Sequence, residues 1–258
     1  METEAQTEPQ PASKGSIEVV DQKLENVLNT EAPIEVLAEG YSWSEGPVWL
    51  PNQKMLIFSD VPKNTIYSWS AEKGGGVYLT PSGFTGENFE GSEPGSNGLT
   101  LNNRGELVLC QHGNRAVSLM KADLSEPRPN YEYLAETFEG KRFNSPNDLI
   151  FDRAGNLYFT DPPYGLPGGM EDSAKEIDFQ GVYRVTPEGE VTLLTDELTR
   201  PNGLALSPDE KTLYVANSDP EKAIWMAYEL DDIGKIQSKK VFYDVTEWVP
   251  KEPGLPDG

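Results

Sequence analysis

Five side chains carrying oxygen donors open five similar stretches of the chain. Glu45 opens "EGPVWLPNQKMLIFSD", Asn97 "NGLTLNNRGELVLCQH", Asn147 "NDLIFDRAGNLYFTDP" and Asn202 "NGLALSPDEKTLYVANSD"; Asp257 sits in the last tripeptide, "PDG". The intervals are 52, 50, 55 and 55 residues. Two carboxylates and three amide carbonyls, with no sulfur and no imidazole, form the donor set of a hard cation. Ca2+ suits it first and Mg2+ or Mn2+ next. Asn-Gly is also the strongest two-residue hairpin signal, so each pair taken alone reads equally as a turn. Two stretches tell against turns: "EGPVW" and "PNDLIF" place an oxygen in the same register without an Asn-Gly pair. In the shared-site reading Asn147 is a ligand and Asp148 props it from behind.

Residues this far apart meet only if a repeated fold brings each to one axis. Each stretch supplies a short apolar strand, a polar turn such as "NNRGE" or "DRAGN", and three further strands. Gly-, Asn- and Asp-rich turns between apolar runs of four to seven residues are hairpin signals. A period near 50 with four strands per unit predicts an all-β fold, a β-propeller of four-stranded blades whose innermost strands line a central channel. The chain reaches only the start of a fifth repeat, and a six-bladed ring of roughly 52 residues per blade would need about ninety more. The expected organisation is an acidic leader and lead-in strand over 1–34, then the propeller over 35–258. Residues 1–20 hold no apolar core of a signal peptide, which leaves cytoplasm and periplasm both open.

Composition narrows the chemistry further. Lys and Arg number 21 against 43 Asp and Glu, a net charge of −22. Such a field disfavours nucleic acid and anionic membrane and favours cations or neutral molecules. No apolar run approaches the length of a membrane helix. The single cysteine, Cys110, excludes an internal disulfide and reads as a small buried residue in "LVLCQ". The single histidine, His112, excludes a His-rich zinc site, and no G-x-S-x-G elbow accompanies it. Trp49, Trp69 and Trp225 fall within strands and are expected in the core between blades. Glu229, Asp231 and Asp232 read as a solvated hairpin end.

The motifs "SEGPVW", "RFNSPND", "FTDPPYG", "RPNGLALSPD" and "LPDG" occur over residues 35–258 in an order that resembles the gluconolactonase, or senescence marker protein (regucalcin), family of six-bladed calcium-dependent propellers. The resemblance implies metal ligation by Glu45, Asn147, Asn202 and Asp257, with Asp257 also the general base. Asn144 competes with Asn147, which keeps the repeat register. It further implies a substrate contact from Arg142, and Asn97, Tyr164 and His112 lie where they could touch substrate. The implied activity is metal-dependent hydrolysis of a small sugar lactone. One divalent ion serves it, Ca2+ foremost, with Mg2+, Mn2+ or Zn2+ as alternatives; neither nucleic acid nor membrane is a partner. A phosphotriesterase on the same metal site and a calcium-stabilised binding propeller without turnover are the competing readings.

Overall fold

The computed structural model describes residues 15–251 and 253–257. They form four antiparallel four-stranded sheets, each built from strands consecutive in the chain. The first holds β1 (Ser44–Leu50), β2 (Met55–Asp60), β3 (Thr65–Ser70) and β4 (Gly74–Leu79). The second holds β5 (Ser96–Leu101), β6 (Leu107–Gln111), β7 (Ala116–Met120) and β8 (Tyr131–Ala135). A two-stranded ribbon, β9 (Thr137–Phe138) and β10 (Lys141–Arg142), precedes the third sheet. That sheet comprises β11 (Leu149–Phe151), β12 (Leu157–Asp161), β13 (Gly181–Val185) and β14 (Val191–Thr195). The fourth comprises β15 (Pro201–Leu206), β16 (Thr212–Asp219), β17 (Lys222–Leu230) and β18 (Ile236–Asp244). The expected turns close the hairpins: Asn102 N–H donates to the Glu106 carbonyl at 2.9 Å and Asp152 N–H to that of Asn156 at 3.0 Å.

Alternation along the strands decides how the sheets stack. In β6, Leu107 and Leu109 join a core shared with Leu50, Ile57 and Ile66 of the first sheet. Val108 and Cys110, pointing the other way, join a core with Leu157, Phe159 and Tyr183 of the third. Tyr158 and Val182 then meet Leu213, Val215 and Ile224 of the fourth. Successive sheets thus face one another in chain order, and the first strands β1, β5, β11 and β15 neighbour one another. The arrangement is all-β and propeller-like. Period 2 is what lets the middle sheets be apolar on both faces. Burial pushes the Cys110 thiol well above its usual range, as an apolar interior does to any group that must ionise.

Two sequence expectations need correction. Trp49 is 52% exposed, and Trp69 and Trp225 are only partly buried. Trp49 pairs with Leu56 and Leu56 with Trp69, so these side chains form a row on the face turned away from the second sheet. The adjacent Leu50 is fully buried: one step along a strand changes face. Between residues 15 and 34 there is a 3-10 turn, Gln22–Asn26, and no strand. The remainder of the expected leader, 1–14, and Gly258 lie outside the described residues. At the expected hairpin end, Asp231 accepts the backbone N–H groups of Ile233 and Lys235 at 3.0 and 2.8 Å.

Candidate active site

Three of the four innermost strands are entered by a loop that a residue at or near the end of the neighbouring strand fastens through backbone N–H groups. The Asp60 carboxylate accepts the N–H groups of Ser42 and Trp43 at 3.0 and 3.2 Å. The Asp161 carboxylate accepts those of Asn144 and Ser145, both at 2.8 Å. The Asn217 amide oxygen accepts that of Arg200 at 2.8 Å. In each case the next residue but one or two is the oxygen-bearing Glu45, Asn147 or Asn202. A hydroxyl one place earlier ties two sheets together. Ser59 donates to the Asn97 carbonyl at 2.9 Å and Thr160 to the Asn202 carbonyl at 2.7 Å. These are backbone clamps, and they leave the ligand-type side chains unspent.

The Asn-Gly pairs are not hairpin turns. Asn97-Gly98 and Asn202-Gly203 lie inside β5 and β15, where the pairing register slips between Ser96 and Leu99 and between Pro201 and Leu204. The first sheet slips likewise between Glu45 and Val48. A bulge re-aims one side chain without ending the strand, which is why bulges gather at functional sites. Glycine follows for want of room. A Cβ on Gly98 would lie 2.6 Å from the Asn147 carbonyl oxygen, and one on Gly46 would lie 2.5 Å from that of Asn97. The Gly98 N–H donates to the Asn147 carbonyl at 2.7 Å. Glycine here lets neighbouring innermost strands touch backbone to backbone.

This close approach brings Glu45, Asn97, Asn147, Asn202 and Asp257 to the wall of one cavity of about 660 Å³. Asn147 is 2% exposed, and its amide oxygen has no hydrogen-bond partner among the described residues. A buried acceptor left unmatched costs about 1–3 kcal/mol, so the position calls for a donor or a cation. Asn202 spends its NH2 on the Ser218 hydroxyl at 3.0 Å, which leaves its amide oxygen as the atom a cation could use. Ser218 in turn donates to the Pro256 carbonyl, holding the segment that carries Asp257 against the fourth sheet. Asp148 stands behind the wall, where its carboxylate accepts the Leu204 N–H at 3.1 Å.

The electrostatics are those of crowded acids. Glu45 is pushed up to about 7, first by burial and then by Asp257, against the pull of the Trp43 indole N–H, which donates to it at 2.5 Å. Asp148 is raised to about 6, mainly by burial, with Asp257 adding to it. Glu93 is a third acid on the cavity wall, and Arg200 is the cation among the described lining residues. Burial also lifts the Tyr164 phenol to about 12, so it stays a neutral donor. Three carboxylates facing one guanidinium leave negative charge that a divalent cation would balance. The donor set fits such an ion: carboxylate and amide oxygens, one of them orphaned.

The structure gathers Glu45, Asn97, Asn147, Asn202, Asp257 and Tyr164 at this cavity and leaves out two other candidates. Arg142 is exposed on β10, and its guanidinium donates to the Asn114 carbonyl at 3.0 Å. The guanidinium at the cavity belongs to Arg200. His112 is wholly buried, with its Nδ1 3.0 Å from a Glu93 carboxylate oxygen. Asn144 gives its NH2 to the carbonyls of Asp161 and Phe179 and belongs to the loop clamp. Sequence reading passed over Trp43, Glu93, Arg200 and Ser218. Trp43 and Arg200 each stand two residues before a ligand-type side chain, in the bends that lead into β1 and β15, a repeated position that was there to use. Glu93 lies in the 80–95 loop and carries no periodic signature.

Comparison with known proteins bears on this geometry. Residues 43–258 match the model of the SMP-30/gluconolactonase/LRE-like region. The chain belongs to that family. This family member is 41% identical over 249 residues to a gluconolactonase of Zymomonas mobilis, spanning 95% of the chain and 68% of that protein. It is 23% identical over 217 residues to a pentonolactonase of Haloferax volcanii, spanning 83% of the chain and 61% of the relative. The solved structure of a gluconolactonase from Xanthomonas campestris superposes with a TM-score of 0.78 at 30% identity, over 99% of this chain and 78% of that one. No helix among the described residues is long and apolar enough to cross a membrane.

Proposed function

We propose that this chain is a lactone hydrolase of gluconolactonase type, opening the ring ester of a small sugar lactone. The observation that carries the reading is the cavity of about 660 Å³ where the five repeat-start oxygens converge, one of them the orphaned Asn147 amide oxygen. In this reading the four sheets are blades of a propeller, six in the whole ring, with the cavity on its axis.

Glu45, Asn147, Asn202 and Asp257 would hold one divalent cation, Ca2+ foremost. When bound, such an ion supplies Lewis-acid polarisation of the lactone carbonyl. The chain's own groups do the rest. An Asp257 carboxylate oxygen accepts a proton from the attacking water as the water oxygen bonds to the carbonyl carbon. The ester bond to the ring oxygen then breaks, and that oxygen leaves as an alcohol on taking up the proton. Arg200 can donate to the carbonyl or ring oxygens, and the neutral Tyr164 phenol to a sugar hydroxyl.

The test is a pH-stat assay on glucono-δ-lactone, corrected for spontaneous opening, with chelator-treated and Ca2+-reloaded protein. Activity should vanish with the chelator and return with the cation. Asp257→Asn should lower kcat by roughly 10²–10⁴. Terbium emission excited through Trp43, whose indole bonds Glu45, reports cation binding independently of turnover. Binding without any chelator-sensitive hydrolysis would make this a binding propeller; hydrolysis of a phosphotriester in place of the lactone would move the substrate class.

A further inference from the structure

Glu93 and His112 form a pair, the imidazole buried and the carboxylate only partly so, that the reaction above does not use. The His112 side chain is 0% exposed and that of Glu93 33%, the latter facing the cavity that Glu93 helps to line. An ionised carboxylate only accepts hydrogen bonds, so the 3.0 Å contact puts the proton on His112 Nδ1. The opposite ring nitrogen, Nε2, is buried and has no partner among the described residues. The imidazole therefore has one job visible in the structure, to hold one carboxylate oxygen of Glu93. Two packed loops keep the ring in place. A Cβ on Gly165 of the "DPPYG" loop would lie 2.7 Å from the His112 Cβ, and one on Gly113 would lie 2.5 Å from the Phe84 Cβ. The His112 N–H donates to the Gly95 carbonyl at 3.0 Å, two residues from Glu93.

A carboxylate fixed at one oxygen offers the other to the cavity. Glu93 lies in the 80–95 loop, whereas Glu45, Asn97 and Asn202 lie on the innermost strands β1, β5 and β15. Glu93 shares that cavity wall with Tyr164, Arg200 and Asp257. A polyhydroxy ring occupying that space would present O–H donors to Glu93.

Resting on the lactone-hydrolase reading, we propose that Glu93 reads the hydroxyl groups of the sugar ring and so selects polyhydroxylated lactones over plain ones, with His112 as its positioning residue. Hydrogen bonds to an ionised acceptor are about twice as strong as neutral ones. A site built to pair a substrate hydroxyl also rejects the analogue that lacks it.

The experiment compares glucono-δ-lactone with δ-valerolactone, the same six-membered ring ester without hydroxyls, in the Ca2+-loaded protein. Glu93→Gln keeps the shape and removes the charge. We expect kcat/KM on gluconolactone to fall about 10- to 100-fold, mainly through KM, while kcat/KM on valerolactone stays within twofold. His112→Asn should move the same ratio in the same direction. Glu93→Asp, which retains the charge on a shorter arm, should lie between Gln and wild type and serves if Glu93→Gln does not fold. Equal losses on both lactones, or no loss on either, overturn the proposal. Unchanged terbium affinity in Glu93→Gln shows that the cation cluster is untouched; a parallel drop in affinity also overturns it. Wild-type protein that opens neither lactone sinks the hydrolase reading itself, and that result is seen before any variant is made.

Discussion

Gly98 joins the fold to the site, and replacing it with alanine gives the sharpest test of how the cavity is built. The added methyl would sit 2.6 Å from the Asn147 carbonyl oxygen and 2.7 Å from an Asp148 carboxylate oxygen. Both belong to the next sheet, and a backbone oxygen cannot swing aside. The strands must separate, and the 2.7 Å bond from Gly98 N–H to the Asn147 carbonyl stretches or breaks. Forced overpacking costs about 1–3 kcal/mol and a lost hydrogen bond about 1 kcal/mol, roughly 2–4 kcal/mol together. For a chain of this size that is a fall of roughly 4–16 °C in Tm. Gly76→Ala is the control, because a Cβ there meets only the Ser68 hydroxyl at 4.0 Å; it should change Tm by less than about 1–2 °C. Thermal unfolding followed by near-UV circular dichroism, with chelator present, reads both variants. Terbium titration should show weaker cation binding in Gly98→Ala alone, since Asn97 and Asn147 move apart. If Gly98→Ala melts with Gly76→Ala and binds terbium as wild type does, the close approach of the innermost strands is not what forms the site.

Two further expectations concern the acids. Glu45 holds its proton up to about 7 in the folded protein, against an ordinary value of 4.5, so the folded state binds more protons than the unfolded chain between those limits. Stability of the cation-free protein should therefore decline as pH rises from about 4.5 to about 7. Asp148 and Asp161, raised to about 6 and about 7, add slope of the same sign. Urea unfolding in chelator should show a shallower decline for Glu45→Gln, and adding Ca2+ near pH 7 should stabilise wild type more than that variant. An equal slope in both proteins would refute the assignment. Asp161→Ala leaves the Asn144 and Ser145 N–H groups without their acceptor, a loss of roughly 2–6 kcal/mol for two buried donors. Asp161→Asn keeps one acceptor and should lose less. Both should weaken terbium binding, because the loop they release leads into Asn147; an Ala variant as stable as wild type would show that the clamp carries no load.

Much of this protein was legible in one dimension. The spacing of Glu45, Asn97, Asn147, Asn202 and Asp257 reports the size of the repeating unit, and alternation within "LVLCQ" reports a strand buried on both faces, because both depend only on residue order and on the two-residue period of extended backbone. The donor chemistry was legible for the same reason: side-chain type is written in the chain. What the order of residues left open was every matter of direction and distance between sheets. Asn-Gly codes for a hairpin as readily as for a bulge, and only the contact of Gly98 with Asn147 across two sheets decides which. The histidine looked like a substrate contact until packing set its ring behind Glu93. Arg142 looked like the cavity's guanidinium, yet Arg200 holds that place, because the Asn217 clamp draws the Arg200 backbone to the rim. Trp49 and Leu50 differ by one step and by the whole difference between water and core. Sequence sets local period and chemistry; which groups face one another is decided by close packing of backbone from distant repeats, an interaction that no single repeat contains.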